Sequence, residues 1–216
     1  SEYLLFSTLA EVLHEINPNR EYFIPNNGHF DTTGANIRAV HIEPINVFDK
    51  SVVLEPFPYE DMNLRNPFKG NMDIRRLEEI IIQKGPESIP LIYTTITNNS
   101  VAGQPVSMAN IRAVKEISDK YEIPFFFDAC RFAENAYFIK RFEEGFKNIS
   151  IREIVKEMFS YVDGFTISLK KDGLGNMGGA LFLRDNGKFV RKYSINGKNI
   201  GIRLKEKQLV TIGNDS

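Results

Sequence analysis

Apolar residues recur at helical spacing in several segments of the chain. From Leu4 to Ile16 they fall every three to four positions, and the Asn-Pro-Asn cluster at residues 17–19 ends the pattern. Ser150 and Glu153 have the spacing of a capping box, which is typical of a helix start. The helices predicted in this way are Leu4 to Ile16, Ile74 to Lys84 after an N-cap at Asp73, Ser107 to Tyr121, and Ser150 to about Ser160.

Short apolar and β-branched runs lie between these helices and predict extended strands. The run from Pro124 to Phe127 has no polar alternation, which is typical of a strand buried on both faces. The predicted strands are Tyr22 to Ile24, Arg38 to Ile42, Ile89 to Thr97, Pro124 to Phe127, Phe165 to Ser168, and Gly179 to Leu183. Residues 43–70, which contain four prolines, are predicted to be irregular. Apolar strands that alternate with helices predict the α/β class, with a mostly parallel sheet flanked by helices on both faces.

Composition and charge narrow the functional classes. The chain of 216 residues has a net charge of -1 with both signs mixed, which argues against nucleic-acid binding held by bulk charge. No apolar run approaches a membrane span, and the first residues lack the basic start of a signal peptide. The single cysteine, Cys130, excludes an internal disulfide, and the three histidines have no metal-site spacing. We therefore expect a single domain over residues 1–216 of a cytoplasmic protein that binds neither nucleic acid nor membranes.

Polar side chains follow three of the predicted strands at their carboxyl ends. Asn98 and Asn99 follow the first of these strands, Asp128 and Arg131 the second, and the segment 168–171 forms the end of the third. In a parallel sheet these ends share one edge, where ligand sites form. We therefore expect the three groups to converge on one site.

Asp128 and Lys171 each allow two interpretations. A carboxylate directly after a buried strand needs a partner, so Asp128 either caps the next helix, with Arg131 as its ion-pair partner, or serves a ligand. Lys170 and Lys171 form either a solvated turn or a site where an amine reacts with an aldehyde. The glycines in 173–179 suit a close ligand or ion and equally a plain turn. A carboxylate and a lysine on separate strands suit pyridoxal 5'-phosphate (PLP), whose ring nitrogen and aldehyde they would hold.

Several motifs, in order along the chain, resemble the tryptophanase and tyrosine phenol-lyase family of PLP-dependent β-eliminating lyases. The segment 128–140 is DACRFAENAYFIK, similar to the family's DSARFAENAYFIK, and GQPVS at 103–107 matches the family's GGQPVS. The remaining matches are FDTT at 30–33, FKGN with Asp73 at 68–73, and SLKKD followed by MGG at 168–179. The resemblance implies the large domain of the aspartate-aminotransferase-like fold (fold type I), and it is closest to tryptophanase.

The resemblance implies a role for each matched position. Lys171 would carry the cofactor covalently and move the Cα proton of the substrate, and Asp128 would pair with the ring nitrogen. These two residues and Arg131 are the predicted catalytic residues. The other cofactor contacts would be a stacking ring, two groups at the phenolic oxygen, and two at the phosphate or a neighbouring cation: Phe30, Arg131 with Asn99, and Ser168 with Lys170. The backbone around Asn176 would belong to a monovalent cation site, normally occupied by potassium.

Asp31 bears on the choice of substrate. Tryptophanases carry aspartate at this place and tyrosine phenol-lyases carry threonine. A carboxylate there can accept a hydrogen bond from an indole N–H, or it can cap the turn that follows. The resemblance implies β-elimination of L-tryptophan to indole, pyruvate and ammonia. Tyrosine phenol-lyase or cysteine β-lyase activity is the alternative, because the residues that grip the substrate are not matched.

The match covers only the central part of the family's length. The family's QGR loop, which binds the PLP phosphate, lies upstream of the match, and the small C-terminal domain lies beyond it. We therefore expect a large domain that is incomplete at both ends, so a further alternative is a truncated, inactive relative or one part of a split enzyme. Leu169 and Cys130 replace smaller residues of the family, and Leu169 stands where it could crowd the site. The resemblance also implies a homodimer or homotetramer.

Overall fold

The computed structural model describes residues 1–56 and 66–213, which form one α/β layered fold. The strands of this part of the chain are β1 (Phe23–Asn26), β2 (Glu43–Asn46), β3 (Ile92–Thr95), β4 (Phe125–Asp128), β5 (Gly164–Ser168) and β6 (Gly179–Leu183). The helices are α1 (Glu2–Ile16), α2 (Asp31–Arg38), α3 (Lys50–Leu54), α4 (Ile74–Lys84), α5 (Met108–Lys120), α6 (Phe132–Phe142), α7 (Ile151–Ser160), α8 (Lys188–Tyr193) and α9 (Ile200–Gly213). None of these helices is long and apolar enough to cross a membrane.

The strands form a single sheet in the order β2-β1-β3-β4-β5-β6. The first five strands in this order are parallel, and β6 pairs antiparallel with β5. Parallel neighbours need crossover connections, which the helices supply. The mostly parallel α/β sheet expected from the alternation of helices and apolar strands is confirmed.

Helices cover both faces of the sheet and bury a separate apolar cluster on each. Successive side chains of a strand point to opposite faces, and β4 shows this directly. Phe125 and Phe127 pack into the cluster under α4, α5, α6 and α7, whereas Phe126 packs into the cluster under α1, α8 and α9. All three phenylalanines have no exposed surface. This double burial explains why β4 is apolar without alternation.

The helices predicted from apolar spacing are confirmed with small shifts at their ends. Asp73 accepts a hydrogen bond from the Arg76 N–H at the start of α4, and Ser107 accepts one from the Asn110 N–H at the start of α5. Both bonds of the capping box at Ser150 are present. Side-chain caps of this kind are local in sequence, so they mark helix starts reliably.

The strand predicted from Arg38 to Ile42 is wrong. Helix α2 extends to Arg38, and the strand β2 begins at Glu43, where Pro44 is paired in register with Ile24. Because β2 is an edge strand of the sheet, a proline without an N–H is tolerated there. The segment expected to be irregular therefore begins with β2 and α3, and its part from 57 to 65 lies outside the described residues.

A buried asparagine side chain extends the pairing between β1 and β3 toward the carboxyl edge. The backbone ladder joins these strands only at Asn26 and Tyr93. Beyond it, Asn27 accepts a hydrogen bond from the Thr95 N–H at 2.8 Å and donates one to the Thr95 carbonyl at 3.0 Å. Asn27 also donates to the carbonyl of Gly70 at 2.7 Å. One side chain thus fixes two strand ends and a neighbouring loop beside the candidate site.

Candidate functional site

A cavity of about 520 Å³ opens at the carboxyl ends of β3, β4 and β5. The strand register places Thr95, Asp128 and Thr166 side by side on these three strands. Seven of the predicted site residues line the cavity: Phe30, Asn99, Asp128, Arg131, Ser168, Lys170 and Lys171. The expected convergence of three separate polar groups on one edge of the sheet is therefore observed, as the rule for open parallel sheets requires.

Asp128 lies at the end of β4 with 5% of its surface exposed. Burial raises the pKa of its carboxyl group, and the hydrogen bond from the Cys130 thiol and the charge of Lys171 oppose this effect. The thiol donates to Oδ1 at 2.8 Å. Within the described part of the chain, Asp128 forms no ion pair with a lysine or arginine. A buried carboxylate without a cationic partner is costly, which makes it a candidate for ligand binding.

The interpretation of Asp128 as a helix cap paired with Arg131 is wrong. Arg131 itself occupies the N-cap position of α6. Its guanidinium donates to Asn99 Oδ1 at 2.8 Å and lies 3.9 Å from the Glu134 carboxylate. Its backbone N–H donates to the carbonyl of Ile96 at 3.1 Å. Arg131 and Asn99 thus join the turns after β4 and β3 and present their donor groups at the cavity as a pair.

Lys171 follows β5 and reaches into the cavity opposite Phe30. Its Nζ lies 5.8 Å from the centroid of the Phe30 ring. The next residue, Asp172, accepts hydrogen bonds from the Ala133 N–H at 2.7 Å and the Glu134 N–H at 3.2 Å, at the start of α6. A carboxylate at a helix N-terminus is stabilised by these free N–H groups. Asp172 therefore holds the turn that contains Lys171 against the start of α6.

Leu169 supports this turn and does not line the cavity. A Cβ at Gly173 would lie 2.9 Å from Leu169 backbone and side-chain atoms, and one at Gly175 would lie 3.3 Å from the Leu169 Cβ. The Leu169 N–H also donates to the carbonyl of Gly178 at 3.0 Å. Leu169 was expected to crowd the site, but it packs under the glycine-rich loop, whose glycines give it room.

Two of the predicted site residues lie outside the cavity lining. Asp31 is exposed in the first turn of α2, between Phe30 and Thr32, which both line the cavity. It provides no side-chain N-cap, because Phe30 holds that position and α2 has no side-chain cap. Asn176 is exposed in the loop between β5 and β6. Among the described residues, no group of three or more His, Cys, Asp and Glu side chains could hold a metal ion. This finding concerns side chains and does not bear on a site built from backbone carbonyl groups.

Sequence reasoning missed two further groups at the cavity. Glu2 accepts hydrogen bonds from the Thr33 hydroxyl at 2.7 Å and from the Tyr93 hydroxyl at 3.4 Å. Burial and the charge of Asp128 raise the pKa of the Glu2 carboxyl group. Thr97 lines the cavity with 2% of its surface exposed, and its hydroxyl has no hydrogen-bond partner among the described residues. In the sequence, Glu2 looks like any acidic residue in the first turn of a helix, and nothing local indicates that it lies at the cavity.

Solved structures share the fold of the chain at low sequence identity. The structure of Oryza sativa TDC with PLP has a TM-score of 0.55 and 11% identity, covering 85% of this chain and 35% of that one. Burkholderia pseudomallei sphingosine-1-phosphate lyase has a TM-score of 0.54 and 13% identity, covering 88% of this chain and 37% of that one. The expected fold, the large domain of fold type I, is confirmed by these likenesses.

Curated relatives are much more similar in sequence. Tryptophanase from Salinibacter ruber is 48% identical over 163 residues, which cover 76% of this chain and 33% of the relative. A probable beta-eliminating lyase from Trichomonas vaginalis is 50% identical over 161 residues (74% and 33%). Tyrosine phenol-lyase from Clostridium tetani is 52% identical over 135 residues (62% and 29%). The chain spans about a third of the length of these relatives.

The family model for Beta-eliminating lyase matches residues 1–212, nearly the whole chain. The matched region includes the cavity at the carboxyl edge of the sheet and every predicted site residue. The chain therefore belongs to the Beta-eliminating lyase family.

Proposed function

We propose that the protein is a PLP-dependent carbon–carbon lyase that converts L-tryptophan to indole, pyruvate and ammonia. One observation carries the proposal. Lys171, a primary amine, and Asp128, a buried carboxylate without an ion pair in the described chain, line the same cavity from the ends of neighbouring strands. Family membership supports the reaction class, and the likeness to tryptophanases supports the substrate.

The chemistry of the cavity fits PLP. Asp128 offers a buried negative charge to a protonated ring nitrogen. The ring nitrogen would then be the cationic partner that Asp128 lacks in the described chain. The Thr97 hydroxyl, which has no partner among the described residues, and the paired Arg131 and Asn99 offer hydrogen bonds to the oxygens of the cofactor. Phe30 offers an aromatic face near Lys171. When bound, PLP supplies an electron sink for the bonds at the substrate Cα.

The residues of this chain would hold the cofactor and move protons. Lys171 would retain the cofactor aldehyde at Nζ, and the same nitrogen would take the proton from the substrate Cα. Asp128 would hold the proton on the ring nitrogen through its carboxylate. Arg131, oriented by Asn99, would donate to the phenolic oxygen. Ser168 and Lys170, at the end of β5, would serve the phosphate or a neighbouring cation.

The choice between tryptophan and tyrosine depends on the part of the cavity near Asp31. The tryptophanase relatives favour tryptophan, and the Clostridium tetani relative keeps tyrosine as the second candidate. Formation of pyruvate should be measured with L-tryptophan, L-tyrosine and L-cysteine in the wild type and in Asp31→Thr. We expect the substitution to lower the kcat/KM ratio of tryptophan over tyrosine, because it removes an acceptor for the indole N–H. An unchanged ratio would exclude Asp31 from substrate choice.

The experiment that tests the cofactor proposal is covalent trapping. The full protein should be loaded with PLP, reduced with borohydride and mapped by mass spectrometry, with Lys171→Ala and Lys170→Ala side by side. We expect the reduced adduct on Lys171 in the wild type and in Lys170→Ala at saturating PLP, and no adduct in Lys171→Ala. An adduct that persists in Lys171→Ala, or a wild type that takes up no PLP, contradicts the proposal. The second outcome favours the alternative of an inactive relative or a part of a split enzyme.

Three further properties are proposals carried by the family resemblance. We propose a potassium ion at the backbone around Asn176, a homodimer or homotetramer, and a cytoplasmic location. Light scattering of the full protein tests the oligomeric state, since a monodisperse monomer would contradict the proposed dimer or tetramer. Pyruvate formation in sodium and in potassium buffers of equal ionic strength tests the proposed potassium site.

A further inference from the structure

Cys130 connects two strand ends through its sulfur atom. The residue follows β4 at the start of the turn into α6 and lines the cavity. Its thiol donates to Asp128 Oδ1 at 2.8 Å, and its sulfur accepts from the Ser168 N–H, at the end of β5, at 3.3 Å. Both groups are close enough to the sulfur to hydrogen-bond with it. Cys130 is the only cysteine of the chain.

The thiol keeps its proton at neutral pH. Burial raises the pKa of Cys130 to about 12, and the charge of Asp128 contributes to the rise. The sulfur is therefore a hydrogen-bond donor to the carboxylate and adds no second negative charge. This direction is required, because an ionised carboxylate can only accept.

Several other charged or titratable groups face this pair. Glu2 of α1, Lys171 and Arg131 line the same cavity, and Tyr93 of β3 is buried beside Glu2; the charges of all four act on Asp128 or respond to it. None of them forms a hydrogen bond to the Asp128 carboxylate in the described part of the chain. The Cys130 thiol is thus the side chain that, together with a backbone hydrogen bond from the same residue, holds this carboxylate in the described part of the chain.

We propose that Cys130 is a positioning residue that orients the Asp128 carboxylate toward the ring nitrogen of the cofactor. The part of this inference that concerns the cofactor rests on the proposed function. A second observation points to a ligand in the same place, because the buried hydroxyl of Thr97 lines this cavity without a partner in the described chain. Cysteine and serine both supply a donor at this position, whereas alanine supplies none.

Each of the two groups shifts the pKa of the other in a direction that can be predicted. The thiol favours the charged form of the carboxyl group, so Cys130→Ala should raise the pKa of Asp128 further. The carboxylate disfavours the thiolate, so Asp128→Asn should lower the pKa of Cys130. A cysteine that merely lay beside the carboxylate would still show the second effect through charge alone, so the first effect and its restoration by serine identify the hydrogen bond.

The first experiment measures this coupling in the cofactor-free protein. Iodoacetamide reacts with the thiolate of cysteine and releases iodide, and mass spectrometry of the Cys130 peptide gives the rate at each pH. We expect Asp128→Asn to move the pH profile of this rate to lower pH and to raise the rate about tenfold at a fixed pH, because one pKa unit changes the thiolate fraction tenfold. Asp185→Asn, at a carboxylate outside the site cavity, is the control and should keep the wild-type profile. Equal profiles for all three proteins would overturn the inference.

The second experiment measures PLP binding and the pH dependence of the visible absorption of the loaded protein. Cys130→Ala should bind PLP about tenfold more weakly than the wild type, since a hydrogen bond to a charged group is lost. The visible absorption of this variant should also show that the cofactor ring nitrogen loses its proton at a lower pH than in the wild type. Cys130→Ser should restore both properties. Equal impairment of the two variants, or none in Cys130→Ala, would overturn the inference. If no variant and no wild type binds PLP, the proposed function fails, and the alkylation profiles still decide whether the thiol and Asp128 are coupled.

Discussion

At the scale of single residues, two buried aspartates of the described chain, Asp128 at the end of β4 and Asp163 directly before β5, differ in how their charge is satisfied. Asp163, 7% exposed, accepts hydrogen bonds from the backbone N–H groups of Phe125 at 2.9 Å and Lys188 at 2.8 Å. Asp128, 5% exposed, receives its side-chain hydrogen bond from a thiol, which is a weak donor. Asp163 therefore stabilises the connection of strands and helices, whereas Asp128 keeps capacity for a ligand.

Replacing each of these aspartates by asparagine should have opposite effects on the cofactor-free protein. Burial raises the pKa of Asp128, so its native state binds a proton more tightly than its unfolded state. The contribution of Asp128 to stability is therefore complete below the ordinary carboxyl pKa of 3.8 and is lost as the pH rises through the raised value. Asp128→Asn removes this loss and should raise the free energy of unfolding at pH 7, with a gap that closes as the pH falls. Asp163→Asn should lower this free energy by about 1–3 kcal/mol, because one buried N–H loses its acceptor.

Urea unfolding at several pH values measures both changes. The Asp128 assignment would be contradicted by a variant that is less stable than the wild type at pH 7. Loss of PLP-dependent turnover in the same variant would show a site that sacrifices stability for function.

At the scale of elements, carboxylates from distant parts of the chain cap the starts of α5 and α6. Glu143 accepts from the Met108 N–H at 2.6 Å and the Ala109 N–H at 2.8 Å, at the start of α5. Asp172 does the same for α6 from the turn that contains Lys171. The first turn of a helix leaves four N–H groups without partners. These tertiary caps satisfy part of them and also join one element to the next.

Helix α7 has a local cap and offers a direct test of such a contribution. Ser150→Ala removes the hydroxyl that accepts from the Glu153 N–H, and this should lower the free energy of unfolding by about 1 kcal/mol. Ser160→Ala, at the exposed end of the same helix, is the matched control and should change it by less than about 0.5 kcal/mol. Urea denaturation with a common m-value provides the comparison. Equal effects of the two substitutions would mean that the capping box contributes nothing measurable.

At the scale of the whole molecule, buried polar groups fix the loops at the carboxyl edge of the sheet. Asn135 accepts from the Val106 N–H at 2.8 Å and donates to the Val106 carbonyl at 2.9 Å. Asn110 forms the same pair of bonds with Met72, at 2.9 Å each. The imidazole of His29 is 7% exposed and bonds to Asn46 through Nδ1 at 3.0 Å. These contacts satisfy loop backbone that the sheet ladder does not reach.

His29 should make the folded protein sensitive to mild acid. Burial lowers the pKa of His29 to about 4 from the ordinary 6.5, so only the unfolded state binds a proton in between. The contribution of His29 to stability is complete above pH 6.5 and is lost as the pH falls toward 4, by about 3 kcal/mol in total. His29→Gln should show a shallower fall of the free energy of unfolding between pH 7 and pH 5. His14→Gln, at the exposed end of α1, should follow the wild type, and the same slope in all three proteins would show that His29 does not titrate on unfolding.

Patterns within about fifteen residues were sufficient to predict most of the elements. The apolar spacing of α1 and α5 and the caps at Asp73 and Ser150 are local features, and the structure retains them. Helix α6 was not predicted, because the carboxylate that caps its start is Asp172, 38 or 39 residues away in the chain. The strand from Arg38 to Ile42 was predicted wrongly, because β-branched residues near the end of α2 have the same local pattern as a strand.

The sequence by itself determined the α/β class, the edge of the sheet where the site lies and the chemical types gathered there. These follow from apolar runs and from polar residues at strand ends, which any parallel sheet brings to one edge. Only the tertiary structure decided the state of each group. It left Asp128 buried without an ion pair in the described chain, turned Arg131 toward Asn99, and set the Cys130 thiol against the carboxylate. The reason is that burial and hydrogen-bond partners depend on contacts between residues far apart in the chain, and the local pattern carries no record of those contacts.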